Sequence, residues 1–137
     1  MDSVAWAQRR RAFGLRAQRR GNLDLARQHF EVSLEDLPQQ GDVHYELARV
    51  LQEQGYRTQA MAHLQAALAL EPDLRAARYQ LLALHTQDGR VDSANAHLVA
   101  LLQTAGADSQ LAGLPERYPR LRQADPKRGL NLGELRR

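Results

Sequence analysis

Cysteine is absent from the 137 residues. That excludes disulfides, thiolate metal sites and a cysteine nucleophile, and it fits a reducing cytoplasm, the expected localisation. No stretch approaches 18 consecutive apolar residues, so no membrane span is expected. The opening MDSVAWAQRRRAFG lacks an apolar core segment, so no secretory signal is expected either. Lysine occurs once against 18 Arg, which reads as genomic bias rather than mechanism. Enzyme signatures are missing: there is no G-x-S-x-G, no H-E-x-x-H and no phosphate-binding loop. The Asp and Glu residues are explained by exposed helical surface, and no perturbed group held by a second can be assembled from them. No catalytic residue, cofactor or metal is expected, and the chain is read as a non-enzyme.

What is present is a repeat. Gly21, Gly55 and Gly89 are 34 residues apart. The same interval separates Ala26, Ala60 and Ala94, then Phe30, Leu64 and Leu98, and also Phe13, Leu47 and Leu81. Pro38 and Pro72 keep it, with Gly106 in the third place. A fixed period of this length is the mark of a repeat architecture. Gly can take the left-handed conformation that lets one helix stop and the next begin. Ala in the second helix lets two helix axes approach closely. Pro beyond the second helix prevents its continuation. One unit alone leaves an apolar face open, and stacked neighbours bury it.

The interval and residue types resemble the tetratricopeptide repeat. The middle unit carries Leu47-Ala48, Leu51, Gly55, Ala60, Leu64, Ala67 and Pro72. The first carries Phe13-Gly14, Ala17, Gly21, Ala26, Phe30, Ser33 and Pro38, and the third Leu81-Leu82, His85, Gly89, Ala94, Leu98, Leu101 and Gly106. The third departs most, with Leu82 for a small residue and no closing Pro, and the Trp-like place holds Arg10, His44 and Arg78. The resemblance implies an all-α fold, a right-handed α-solenoid of three helix–turn–helix repeats with a C-terminal capping segment. The expected divisions are a lead at 1–6, repeats at 7–40, 41–74 and 75–108, a capping helix at 109–123 and a basic flexible tail at 124–137.

Apolar spacing predicts helices near Ala7–Arg20, Asp24–Leu37, Asp42–Gln54, Thr58–Leu70, Arg75–Asp88 and Asp92–Thr104. No segment shows a period of two, so no strand is predicted. Asp24, Thr58 and Asp92 stand where each second helix begins. They are expected to accept free backbone N–H bonds or to meet the positive dipole end. Leu111, Leu114, Tyr118 and Leu121 share one helical face, kinked by Pro115 and Pro119, and are expected to cover the last unit. Val4 and Trp6 are expected over the open end of the first.

The resemblance also implies a concave groove lined by the first helix of each unit. Its expected partner-binding residues are Arg11, Leu15, Gln18, Asp42, Tyr45, Glu46, Arg49, Glu53, Tyr79 and Gln80, with Gln8, Arg19, Gln52, Ala76, Ala83, Thr86 and Gln87 alongside. Tyr45 and Tyr79 are the expected anchors, since Tyr and Arg dominate binding hot spots. One family sub-type grips the C-terminal carboxylate of heat-shock chaperones. Its places here hold Arg11, Leu15, Glu46, Ala76 and Gln80, and only Arg11 fits, so that activity is not expected.

His29, His63 and His97 also repeat at 34. Helix spacing of about 8–10 Å is wide for ions held near 2 Å, so polar packing is expected rather than metal binding. His44 and His85 are expected as partly buried spacers.

Net charge is +3 but uneven. Residues 1–27 hold seven Arg against Asp2 and Asp24, residues 28–115 are net acidic, and residues 116–137 are basic again. The arginine cluster Arg9, Arg10, Arg11, Arg16, Arg19, Arg20 and Arg27 raises a nucleic-acid alternative. Against it stand the acidic middle and the lack of an aromatic platform interleaved with the arginines. The favoured function is a protein-binding scaffold, adaptor or chaperone-like, expected to be bacterial and cytoplasmic. It would take a partner peptide or helix in the groove. Lys127, Arg128, Arg136 and Arg137 of the tail complement Asp42, Glu46 and Glu53. This implies self-occupancy of the groove or weak homo-oligomerisation through the C-terminal segment.

Overall fold

Three glycines turn the chain in the same way. Gly21, Gly55 and Gly89 have φ of 78°, 91° and 74°. Each follows a helix, and each is bracketed by the same two hydrogen bonds. Gly21 N–H donates to Gln18 O at 3.0 Å and Asn22 N–H to Ala17 O at 2.9 Å. Gly55 N–H and Tyr56 N–H donate to Gln52 O and Leu51 O at 3.1 and 2.8 Å. Gly89 N–H and Arg90 N–H donate to Thr86 O and His85 O at 3.1 and 2.8 Å. This double closure is the Schellman motif, and its left-handed residue favours Gly because no Cβ opposes the following carbonyl.

The structure is a computed structural model that describes residues 2–103. Within them lie six helices and no strand: α1 Ser3–Arg19, α2 Leu23–Asp36, α3 Gly41–Glu53, α4 Arg57–Leu70, α5 Arg75–Gln87 and α6 Val91–Gln103. They pack as adjacent pairs, α1 on α2 and α3 on α4, with α3 also against α2 and α1. The expected capping helix, tail and end of the third repeat lie outside the described residues. The described residues fall into two compact units, one up to residue 77 and the other from residue 78 to residue 103.

Beyond shifts of a single residue, helix ends depart from expectation in two places. α1 begins at Ser3 rather than Ala7, because Asp2 caps it: Oδ1 accepts Ala5 N–H at 2.8 Å. The cap of α2 is Asn22, whose Oδ1 accepts Leu25 N–H, and not Asp24. Asp24 and Asp92 lie in the first turns, where their charge meets the helix dipole, and Thr58 follows an N-cap, Tyr56, that makes no side-chain cap bond. Asp24 also has a tertiary partner, accepting from Gln54 Nε2 at 2.7 Å.

In the first unit Ala26, Phe30, Val43, Leu47, Ala60 and Leu64 are buried. α3 lies between neighbours on two sides, so Val43 and Val50 are buried as completely as Leu47. A buried polar chain runs through this unit. Ser33 Oγ donates to Ala7 O at 2.8 Å, and Gln40 Nε2 reaches Ser33 O, Ser33 Oγ and Leu37 O at 3.0, 3.1 and 2.8 Å. It joins α1, the end of α2 and the residue before α3, and it satisfies polar groups that would otherwise be costly to bury. In the second unit Leu82, Ala94, Leu98 and Leu101 form the core, with Tyr79 and Leu102 packed on it.

Candidate functional site

α1 and α3 are the first helices of successive hairpins, and their facing residues enclose a cavity of about 390 Å³. Leu15, Gln18 and Arg19 of α1 line it with Glu46, Arg49 and Glu53 of α3. Spacing explains why these residues meet. Leu15, Gln18 and Arg19 are three and four apart, as are Glu46, Arg49 and Glu53, so each set presents one helical face.

Both signs of charge occur in the slot. Arg49 Nη1 donates to Glu46 Oε2 at 3.5 Å, and its guanidinium lies 5.9 Å from the centre of the Tyr45 ring. Arg11 and Asp42 bridge α1 and α3 at 2.7 Å. That pair is largely exposed and contributes little stability, about 0–1 kcal/mol. Leu15 is the one aliphatic side chain in the lining; guanidiniums, carboxylates and the Gln18 amide supply the rest. Such a lining can hold a polar or charged side chain of a polypeptide while its stem rests on Leu15.

Five of the ten expected groove residues therefore converge here: Leu15, Gln18, Glu46, Arg49 and Glu53. Arg11 and Asp42 are already paired with each other, so Asp42 is not an unengaged acceptor for a basic segment. Tyr45 is half-buried beside Arg49. Tyr79 and Gln80 belong to the second unit. There Tyr79 packs on the Leu82–Leu98 core, so part of its ring serves the hairpin itself.

A second cavity of about 330 Å³ lies among α2, α3 and α4. Leu34, Leu47 and Leu51 are its apolar part, and Arg27, Glu31, Glu35, Gln59 and His63 its polar part. Arg27 Nε and Glu31 Oε1 are paired at 2.6 Å, and this bond raises the Arg27 pKa.

Each repeated histidine meets a ring or guanidinium of the helix before it. His29 Nδ1 is 3.5 Å from Arg10 Nη1, and its ring is tilted against Phe13. His63 and His44 share a 3.0 Å bond between their Nδ1 atoms. His44 Nε2 donates to Pro38 O at 3.0 Å, so in neutral His44 the Nδ1 is the acceptor and His63 Nδ1–H the donor. His97 stacks on His85 with centroids 5.5 Å apart and planes at 8°. Desolvation, with cationic or imidazole neighbours, lowers the pKa of His29, His63, His85 and His97, the last to about 4. No group of three or more His, Asp or Glu poised for a metal occurs among the described residues.

Another surface was missed from sequence. Trp6 and Phe13 are exposed on α1, with the guanidiniums of Arg9 and Arg16 5.7 and 5.9 Å from their ring centres. Aromatic rings interleaved with arginines are thus present, and that objection to nucleic acid falls. The signal lay in the spacing of Trp6, Arg9, Phe13, Arg16 and Arg20, alternately three and four, which puts all five on one helical face.

No protein-family model and no curated protein matches the chain. Among the described residues no helix is long and apolar enough to cross a membrane.

Proposed function

We propose that the chain is a tetratricopeptide-type scaffold of three hairpins whose α1–α3 groove binds a peptide or helix of another protein. The Schellman corners support this repeat reading by recurring every 34 residues. So does the complete burial of Ala26, Ala60 and Ala94, and of Phe30, Leu64 and Leu98. A right-handed solenoid follows from the same reading. The observation that carries the function is the convergence of Leu15, Gln18, Glu46, Arg49 and Glu53 around one slot.

The slot suits a segment with charges of both signs or an amide-rich stretch, since Arg19, Arg49, Glu46 and Glu53 all line it. Its role is recognition rather than catalysis, in a bacterial cytoplasmic adaptor. Affinity purification with the wild-type chain, followed by titration of the purified partner, tests it. The Arg49→Ala, Glu53→Ala variant should bind the partner at least tenfold more weakly, the loss expected for a hot-spot residue. Unchanged affinity in that variant and in Tyr45→Ala would reject the groove.

A further inference from the structure

The first hairpin differs from the second along one edge of α1. Position for position, Arg9 and Arg16 stand where α3 has Val43 and Val50, and Phe13 stands where α3 has Leu47. The α3 residues are buried, with Val43 and Val50 at 0% exposure and Leu47 at 1%. On α1 the corresponding edge is open: Trp6 is 42% and Phe13 38% exposed. Arginine at two of these places makes the edge unsuited to burial beneath another helix, because two guanidiniums would be stripped of water. The row is built to stay wet.

It is also uncompensated. Arg11, Arg27 and Arg49 each have a carboxylate partner. Arg9, Arg16 and Arg20 form no ion pair among the described residues. Trp6, Arg9, Phe13, Arg16 and Arg20 therefore form a row about 20 Å long in which cations alternate with exposed rings. Each ring has an Arg near it, Phe13 also meets the tilted His29 ring, and both remain more than a third exposed.

We propose that this row is a docking strip for single-stranded nucleic acid, separate from the polypeptide groove. Phosphates would lie on Arg9, Arg16 and Arg20, and bases against Trp6 and Phe13. Charge complementarity calls for a polyanion, and two flat exposed rings favour one that carries planar bases over an acidic polypeptide. Recognition by stacking and backbone charge is tolerant of sequence.

Trp6 is the chain's one tryptophan, so its fluorescence reports on the strip directly. Titration of the full chain with a short oligothymidylate or oligouridylate at low salt should quench it, with Kd of about 10⁻⁶–10⁻⁴ M. Two or three phosphate contacts give a log K against log salt slope of about −1.4 to −2.1. Labelled-oligonucleotide anisotropy then tests two sets of variants, with circular dichroism as the check on folding. Trp6→Ala with Phe13→Ala should weaken binding about tenfold or more while keeping the slope. Arg9→Gln, Arg16→Gln and Arg20→Gln together should weaken binding and flatten the slope, while Arg49→Ala in the groove should change neither. No quenching at low salt overturns the proposal. So does full binding in both sets of variants, which would move the site to other basic residues. Equal quenching by polyglutamate, or by phosphatidylserine vesicles, overturns it in favour of an acidic polypeptide or a membrane surface.

Discussion

The ring of Phe30 occupies the space that a side chain on Gly14 would need. A Cβ at Gly14 would lie 2.6 Å from Cε1 and 2.7 Å from Cδ1 of that ring. At the corresponding places, 34 residues on, the second hairpin has Ala48 and Leu64, both buried. The small residue and its partner trade volume.

Gly14→Ala should accordingly destabilise the chain even though Ala is the better helix former. Overpacking of about 1–3 kcal/mol opposes a propensity gain of about 1 kcal/mol, for a net loss of up to about 2 kcal/mol. Phe30→Leu in the same chain should recover most of the loss that Gly14→Ala causes. Urea unfolding of both single variants and the double variant measures the coupling. Additive effects would show that the ring moves aside freely.

The three corner glycines make a different prediction. A Cβ at Gly21, Gly55 or Gly89 would meet nothing within 4 Å, so any cost of adding one is backbone strain alone. Each Gly→Ala change should cost about 1 kcal/mol, and Gly→Asn less, since Asn tolerates the left-handed region better. Denaturant midpoints for the six variants check the ranking.

Acid should weaken the fold through its buried imidazoles. A histidine whose folded pKa is lowered stays neutral in the native state while the unfolded chain takes up a proton. Its contribution is therefore present above the unfolded value near 6.5 and is lost as pH falls towards the folded value. For His97 that window runs from about 6.5 to about 4. Because His97 is partly open to water, only part of the full linkage is expected, about 1–2 kcal/mol. His29, His63 and His85 act in the same direction. The loss of stability between pH 7 and pH 4.5 should be smaller in His97→Gln than in the wild type, as urea titrations at each pH would show.

Asp42→Asn should leave stability almost unchanged, within about 0.5 kcal/mol, because its bridge to Arg11 is solvent-exposed. It should still alter binding at the groove by releasing the Arg11 guanidinium. Thermal melts and partner titration separate the two effects.

Much of the fold was legible because its cause is local. A left-handed corner calls for Gly, and Gly21, Gly55 and Gly89 announce it at a fixed interval. The family resemblance singled out Leu15, Gln18, Glu46, Arg49 and Glu53 among the expected groove residues, and these five line one slot. Side-chain choices between equally spaced residues were not. Nothing local says that Asn22 rather than Asp24 caps α2, since either oxygen can accept a backbone N–H. The pairing of Arg11 with Asp42 joins residues 31 positions apart and depends on how two helices face each other. The ring-and-arginine row on α1 could have been read from spacing. It was obscured because Phe13 falls in register with Leu47 and Leu81, which are buried, so its own exposure ran against the repeat.

The tie from Gln40 through Ser33 to the Ala7 carbonyl bears on how the α1–α3 slot can behave. It links α1 and the end of α2 to Gln40, the residue from which α3 starts. Drawing the start of α3 away from the first hairpin would break these buried bonds. A guest therefore meets one end of the slot already anchored, which reduces the freedom the host must surrender when the guest arrives.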